Sequence, residues 1–331
     1  MQRAKTAICG IARRAGLKYS RPFFPFDIFA GMRYTITILL LMCMAASVSF
    51  GQKADKEQLL QINHLKKTPP YDTTQQQTFP VFTYQSPDDS ALVTLREIYH
   101  LDSIAGQGSE TERAIRLLEW FHNQVPHEDV RSLPVLTARY IIDSYREKKV
   151  GQGCYPLSIA MNEIFLSMGF KSRSVICFSG KYPEPNGGHV INAVYMPSLR
   201  KWIYMDPQDN AYVKDEKGNF LSVEEVRERL VNGKPMYLNA GANYHQVPTK
   251  KEQYLYTFMA EHMYRLICPV NSTYDSQTRS AGKVLQYVEL LPAGSKDPAV
   301  DMFETSVSRN TNVISYHTNN NRAFWQLPSD R

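Results

Sequence analysis

The sequence predicts an α+β fold in which helices precede an antiparallel sheet. Ser109-x-x-Glu112 is a capping box, and apolar residues recur after it at helical spacing. The same spacing predicts helices over 137–149 and 154–168. Segments with the alternation of strands follow at 174–178, 189–196 and 202–206. Helices followed by consecutive strands are typical of α+β proteins rather than of a parallel α/β sheet.

The remainder of the chain supports a division into four regions. A second capping box, Ser222-x-x-Glu225, predicts a short helix, and farther on we expect a helix over about 252–266 and a strand over 284–290. The polar, Pro/Gln-rich stretch before Ala91 indicates that ordered structure begins near that residue. The predicted regions are 1–51, an upstream extension with a signal peptide; 52–90, a leader or linker; 91–235, the main domain; and 236–331, a C-terminal α/β extension packed on or beside it.

The N-terminal region has the pattern of a secretory signal peptide. Arg33 precedes an apolar run from Ile36 to Val48, and small residues stand at the −3 and −1 positions before Gln52. The run is shorter than the roughly 20 apolar residues of a membrane-spanning helix. We expect cleavage between Gly51 and Gln52, export to the periplasm or the extracellular space, and no stable membrane span afterwards. A retained signal anchor is the alternative, and Met32 is the expected start of translation.

The positive net charge of the chain belongs to this N-terminal region. Residues 1–51 contain seven of the 38 Lys/Arg and one of the 32 Asp/Glu, which leaves 31 of each sign in the mature chain. A neutral chain gives no electrostatic reason to bind nucleic acid or an anionic membrane. We therefore expect neither partner.

Three cysteines remain after the predicted cleavage: Cys154, Cys177 and Cys268. An odd number leaves at least one thiol unpaired even in an oxidising compartment. The apolar neighbours of Cys177 and Cys268 are compatible with a disulfide or with two buried free thiols, and both interpretations stay open. The sequence predicts no disulfide framework.

Cys154 has the local sequence of a nucleophile at the start of a helix. It follows Gly151-Gln152-Gly153 and precedes Pro156, which favours the first helical turn. Unpaired N–H groups at a helix N-terminus stabilise a thiolate and an oxyanion formed beside it. The competing interpretation is a buried structural cysteine.

A thiol nucleophile needs a base, and the base needs an orienting group. His189 opens one predicted strand and Asp206 closes the next. If Tyr195 pairs with Arg200 across the hairpin, His189 lies opposite Asp206, close enough for a carboxylate to hold the imidazole. A shift of two residues is the alternative register, and Asp209 is the alternative partner.

Three spaced motifs resemble the transglutaminase-like superfamily. The cysteine helix runs from Gly-Gln-Gly-Cys-Tyr-Pro to Gly169-Phe-Lys-Ser-Arg173, and the histidine follows the cysteine by 35 residues. A Trp-x-x-x-Asp-Pro strand, here Trp202 to Pro207, comes next. The similarity covers about residues 110–235.

The resemblance implies a papain-like fold with Cys154 as nucleophile, His189 as base and Asp206 as orienter. Val190 stands where many members carry an aromatic residue, and Tyr155-Pro156 where many carry a small or acidic pair. These departures concern the substrate cleft. Gln152 and Tyr140 are candidates for a second oxyanion donor.

We therefore expect thiol acyl transfer on amide bonds of a peptide or protein, with hydrolysis as the outcome, as is thought common among exported single-chain members. Transfer to an amine would make the protein a cross-linker. The alternatives of another class are a non-catalytic peptide- or glycan-binding module and a surface structural protein that acts through its C-terminal region. No histidine or cysteine spacing indicates a metal site, and no cofactor motif occurs.

Overall fold

The computed structural model describes residues 56–74, 76, 79–129, 133–180, 187–293, 302–306 and 311–328. Contacts group all of these residues into one compact unit. The predicted signal peptide and its cleavage site lie outside the described residues. Within the described ranges, no helix combines the length and the apolar character needed to cross a membrane.

Nine α-helices and one π-helix occur in the described residues. The α-helices are α1 (56–66), α2 (Ser90–Ile98), α3 (Leu101–Ala105), α4 (Glu110–His122), α5 (Ala138–Lys148), α6 (Cys154–Ser167), α7 (Val223–Asn232), α8 (Ala260–His262) and α9 (Asn321–Phe324). Both predicted capping boxes form, at Ser109 before α4 and at Ser222 before α7. The helix predicted over about 252–266 is instead a π-helix, Glu252–Met259, continued by α8, and it ends at His262.

The strands form one large sheet and three two-stranded ones. They are β1 (Thr83–Tyr84), β2 (Ser172–Phe178), β3 (Gly188–Met196), β4 (Lys201–Met205), β5 (Val213–Lys214), β6 (Tyr237–Leu238), β7 (Asn243–Tyr244), β8 (Val247–Pro248), β9 (Arg265–Pro269), β10 (Asn271–Ser272), β11 (Val284–Leu290), β12 (Met302–Ser306) and β13 (Thr311–Thr318). The large sheet has the order β12-β13-β11-β9-β2-β3-β4, and only the β11–β13 pair in it is parallel. The architecture is therefore α+β, as predicted.

Residues 236–331 contribute to the same sheet as the main domain. Strand β9 pairs with β2, and β11 pairs with β9. The sheet thus continues across the predicted boundary at 235/236 without interruption. The division into a main domain and an extension remains a prediction.

The β3–β4 hairpin has a register two residues away from the one that the sequence favoured. Tyr195 pairs with Trp202 rather than with Arg200, because a 3-10 turn at Pro197–Leu199 and a left-handed Arg200 (φ 48°) form the connection. Side chains alternate with a period of two, so a shift of two leaves every residue on its predicted face. The correction therefore moves Asp206 along the strand direction without turning it away from His189.

Helix α6 lies against the sheet and is buried on almost all sides. One apolar cluster fills the space between α6, α4, α5 and one face of the sheet, with Phe121, Phe165 and Ile203 at its centre. A second cluster covers the opposite face with residues of α7 and the π-helix, among them Leu230 and Leu255. The first of these clusters holds α6 against the sheet.

Order begins well before Ala91, contrary to the sequence-based expectation. Leu65, Phe79 and Phe82 are buried in the second cluster. Strand β1 pairs in parallel with β10. These three buried residues stand in a polar segment and are too far apart in sequence to give the periodic pattern of a helix or a strand.

Cys177 and Cys268 are both free and fully buried. Of the two interpretations left open by the sequence, the structure has two buried thiols. Burial raises the pKa of each thiol, to about 12 for Cys268, so both stay protonated and inert at neutral pH.

Arg173, on β2, joins this strand to β1 and to the region of α9. Its fully buried guanidinium donates hydrogen bonds to Tyr84 Oη (2.6 Å), Phe324 O (2.6 Å) and Gln326 O (2.9 Å). The same group lies 3.9 Å from the ring centroid of Phe82. Since carbonyl oxygens and an aromatic face take the place of an anion, the planar fork of arginine is essential here.

Replacement of Arg173 by Lys should lower the free energy of unfolding by about 2–4 kcal/mol. The ammonium group of lysine cannot reproduce the planar arrangement of the guanidinium N–H donors, so a buried carbonyl oxygen loses its partner. Denaturant unfolding measures this change. The control is Arg139→Lys on α5, whose side chain is 56% exposed and holds only a 3.6 Å ion pair to Asp143. It should change stability by no more than about 0.5 kcal/mol. Equal stability of Arg173→Lys and wild type would contradict the structural role of this residue.

Candidate active site

Cys154 is the first residue of α6. Its N-cap, Gly153, has an extended backbone (φ −66°, ψ 166°) and provides no side-chain cap. The first-turn N–H groups are therefore not taken by a capping side chain. The half-buried thiol stands at the end of the helix where the macrodipole favours an anion.

A strand-like contact fixes the loop before Cys154. Gln152 N donates to Pro126 O, and Glu128 N donates to Gln152 O, both at 3.0 Å. A Cβ at Gly151 would lie 2.5 Å from Pro126 O, so only glycine allows the two segments to approach this closely. The loop therefore presents Cys154 from a braced backbone.

His189, near the start of β3, joins Cys154 to Asp206. His189 Nε2 donates to Asp206 Oδ2 at 2.6 Å, and both side chains are almost completely buried. The Cys154 thiol lies close enough to the imidazole to contribute to the raised pKa of His189. Because Nε2 is engaged by the carboxylate, Nδ1 is the nitrogen that faces the thiol. The structure thus brings together the three residues that the sequence singled out.

The surroundings of His189 and Asp206 favour the charged form of each side chain. Burial alone would lower the pKa of His189, but the Asp206 carboxylate and the bonds to Asp206 and Cys154 raise this pKa to about 10. Burial alone would raise the pKa of Asp206, but the His189 charge and donated hydrogen bonds hold it below its ordinary value. An imidazolium and a carboxylate therefore coexist at neutral pH.

Asp209, the alternative orienter, lies beside the pair but has other partners. Burial and the Asp206 charge raise the pKa of Asp209 to about 6. Thr249 Oγ1 donates to it at 2.9 Å, and Gln208 Nε2 donates at 3.2 Å. His189, Asp206 and Asp209 each have a potential metal-ligand atom within 4.8 Å of the others. A cation at this position would compete with the imidazole–carboxylate bond, and the prediction of no metal site remains a prediction.

The two proposed oxyanion donors lie in different surroundings. Gln152 is buried, its Nε2 donates to Val150 O at 3.3 Å, and its Oε1 has no hydrogen-bond partner among the described residues. Tyr140 is half-buried in the first turn of α5, where its backbone N donates to Thr137 Oγ1. No described contact joins Tyr140 to Cys154, and both assignments remain predictions.

Two aromatic residues of the π-helix contact the site and were not anticipated. Tyr254 Oη donates to Asp206 Oδ2 at 2.5 Å. The Phe258 ring meets the His189 ring edge to face, with 5.0 Å between centroids. No motif or spacing marks either residue, because they come from a segment far along the chain.

A third unanticipated group, from the loop after α4 and the β7–β8 hairpin, lies near the site. His127 Nδ1 and Tyr244 Oη are hydrogen-bonded at 2.9 Å, and the His245 ring lies against Tyr244. Burial lowers the pKa of His127, and the positive charge of His189 contributes in the same direction. His245 and Gln246 both have positive φ (52° and 63°), as a two-residue hairpin turn requires. The β7–β8 hairpin therefore borders the site.

Comparison with known proteins gives one family similarity and no match to a curated protein. A family model described as the transglutaminase-like superfamily matches residues 100–207, which include Cys154, His189 and Asp206. No curated protein matches the chain.

Two solved structures show a weak similarity. A putative cysteine protease from Cytophaga hutchinsonii is 12% identical, with a TM-score of 0.29, over 49% of this chain and 56% of the other. A structure described as a TGase is 13% identical, with a TM-score of 0.27, over 71% of this chain and 44% of the other. The matches thus span only about half the length of these proteins. Both TM-scores are below 0.5, and neither structure supports a conclusion about the activity of this chain.

The family match covers helices α3 to α6 and strands β2 to β4. It therefore includes the helix that begins with Cys154, the strand that carries His189 and the residue that follows β4, Asp206. Residues 100–207 of the chain are thus similar to the core of the transglutaminase-like superfamily.

Proposed function

We propose that the protein is a cysteine-dependent acyltransferase that hydrolyses amide bonds of a peptide or protein through a Cys154 thioester. The observation that carries the proposal is the juxtaposition of Cys154, His189 and Asp206, with 2.6 Å between His189 Nε2 and Asp206 Oδ2 and an electrostatic interaction between the imidazole and the thiol. The similarity of residues 100–207 to the transglutaminase-like superfamily supports it, since such cores are usually enzymatic.

In the first half-reaction, the Cys154 thiolate attacks the carbonyl carbon of the substrate amide. The S–C bond forms, and the carbonyl oxygen becomes an oxyanion near the first-turn N–H groups of α6. When the C–N bond breaks, the His189 imidazolium gives its Nδ1 proton to the leaving amine. The products are the free amine, a thioester on Cys154 and a neutral imidazole.

In the second half-reaction, the neutral His189 takes a proton from water, which attacks the thioester. The C–S bond breaks, the carboxylic acid leaves, and the thiolate and imidazolium are restored. Asp206 holds the Nε2 proton throughout, so the ring keeps the orientation in which Nδ1 faces Cys154. The carboxylate performs this task by accepting the Nε2 hydrogen bond, and it does not itself become protonated.

We further propose that the enzyme acts after export. The predicted signal peptide at residues 32–51 assigns its substrates to the periplasm or the extracellular space. Residues 91–235 would then form the catalytic domain, and 236–331 the extension packed beside it.

The alkylation rate of Cys154 should remain high below neutral pH and should depend on His189. An isolated thiol titrates at about 8.5, so His189→Ala should lower the rate at pH 6 by roughly ten- to a hundredfold. The full-length chain is treated with iodoacetamide from pH 4 to pH 10, and the peptide that contains Cys154 is quantified by mass spectrometry. Buried Cys177 and Cys268 serve as internal references for intact structure.

The matched control for this experiment is His127→Ala, which removes another partly buried imidazole beside the site but none that bonds to Cys154. Its labelling at pH 6 should stay within about twofold of wild type. If His189→Ala labels at the wild-type rate across the pH range, the proposed enzyme function is wrong, and a non-catalytic binding module becomes the better explanation.

The acceptor of the acyl group can be determined with peptides as substrates and a fluorescent primary amine as competitor. Hydrolysis predicts new carboxyl termini or deamidated glutamine, with little amine incorporated, and no reaction with Cys154→Ala. Incorporation of the amine as the main product would instead identify a cross-linking transglutaminase. Product masses distinguish the two directly.

A further inference from the structure

We propose that Tyr254 is a positioning residue of the active site, which holds Asp206 in the orientation that His189 needs, with Tyr204 as its support. The inference rests on the proposed function, since it assigns a role in the same triad. It implies that the 236–331 region completes the site rather than merely extending the fold. Tyr254 lies outside the residues matched by the family model.

A series of hydrogen bonds leads from the core to the imidazole. Tyr204 Oη lies 2.5 Å from Tyr254 Oη, which lies 2.5 Å from Asp206 Oδ2. Tyr254 has a single hydroxyl proton, and the carboxylate accepts it, so Tyr204 must donate to Tyr254. All protons of the series therefore point toward Asp206, and the order is Tyr204, Tyr254, Asp206, His189.

The carboxylate has no alternative to these donors. Asp206 Oδ2 accepts from both Tyr254 and His189, while Oδ1 accepts from Gln208 N at 2.9 Å and from Asp209 N at 3.4 Å. The Asp206 side chain is fully buried, so water does not replace a lost partner. Removal of the Tyr254 hydroxyl would leave Oδ2 with His189 as its one donor among the described residues, while Oδ1 would keep its two backbone donors.

The π-helix delivers two neighbouring aromatic side chains to the two members of the pair. Tyr254 contacts Asp206, and Phe258, one turn later, contacts the His189 ring. The Tyr254 and Phe258 rings are stacked, with 6.4 Å between centroids. π-helical segments are rare and occur frequently at functional sites. Two independent contacts from one irregular segment indicate that it is built around the catalytic pair.

Tyr254 remains a donor throughout the working pH range. Burial and the Asp206 charge raise the pKa of Tyr254 well above its ordinary value. Its hydrogen bond is one of the interactions that hold the pKa of Asp206 low. Loss of the hydroxyl should therefore make Asp206 easier to protonate. Other titratable groups also interact with Asp206 and are left unchanged by the substitution: His189 on β3, Asp209 after β4, Tyr204 on β4, Cys177 on β2 and His127 after α4.

The test compares Tyr254→Phe with wild type in the full-length chain, with iodoacetamide as the probe of Cys154 from pH 3.5 to pH 10. In Tyr254→Phe, the fall of the alkylation rate on the acid side (the acid limb of the profile) should occur at a pH about one unit higher, since the Asp206 carboxylate loses a hydrogen bond and is protonated more easily. Tyr256→Phe is the matched control: it makes the same change two residues away on the π-helix, at a half-buried ring without a bond to the triad. Its profile should superimpose on that of wild type.

A second variant covers the case in which Tyr254→Phe does not fold. Tyr204→Phe keeps every bond to Asp206 but removes the donor behind Tyr254, so the acid limb should move in the same direction by a smaller amount. A role in packing alone would change stability and leave the limb in place. An unshifted limb in folded Tyr254→Phe, or in Tyr204→Phe where the first does not fold, overturns the inference. If the alkylation rate of Cys154 does not depend on His189, the proposed function is wrong, and this inference is wrong as well.

Discussion

The structure depends on one buried charge, the carboxylate of Asp206. A carboxylate removed from water is stable only if donors and a cation replace its hydration, and these come from three separate parts of the chain. Strand β3 provides His189, the turn after β4 provides Gln208 N, and the π-helix provides Tyr254. The sheet, the turn and the C-terminal region must therefore be in place together before the imidazole can be held beside Cys154.

Local sequence signals predicted three helices of the fold, including the one that begins with Cys154. Capping boxes and apolar spacing give α4 and α7, and the glycine-flanked Cys154 before a proline gives the start of α6. The hairpin register was wrong by two residues, because the sequence does not specify which residues of a short connection still pair. This error does not separate His189 from Asp206. Side chains alternate along a strand with a period of two, so a shift of two residues leaves each side chain on the same face of the sheet.

The parts that sequence could not predict are contacts between distant segments. Tyr254 is 48 residues from Asp206, and nothing in its neighbourhood distinguishes it from other tyrosines. The apolar anchors Leu65, Phe79 and Phe82 stand alone in a polar stretch, where no periodic signal reveals burial. A π-helix also gives the same apolar pattern as an ordinary helix over eight residues, so only coordinates distinguish them.

The central claim is that Asp206 keeps His189 charged beside Cys154 at neutral pH. The nitrogen-15 chemical shifts of the His189 imidazole, followed by NMR in the full-length chain against pH, test this most directly. The account predicts that both ring nitrogens carry protons at pH 7 and that the ring loses one only as the pH approaches about 10. A ring that becomes neutral near the ordinary histidine value of about 6.5 would contradict it.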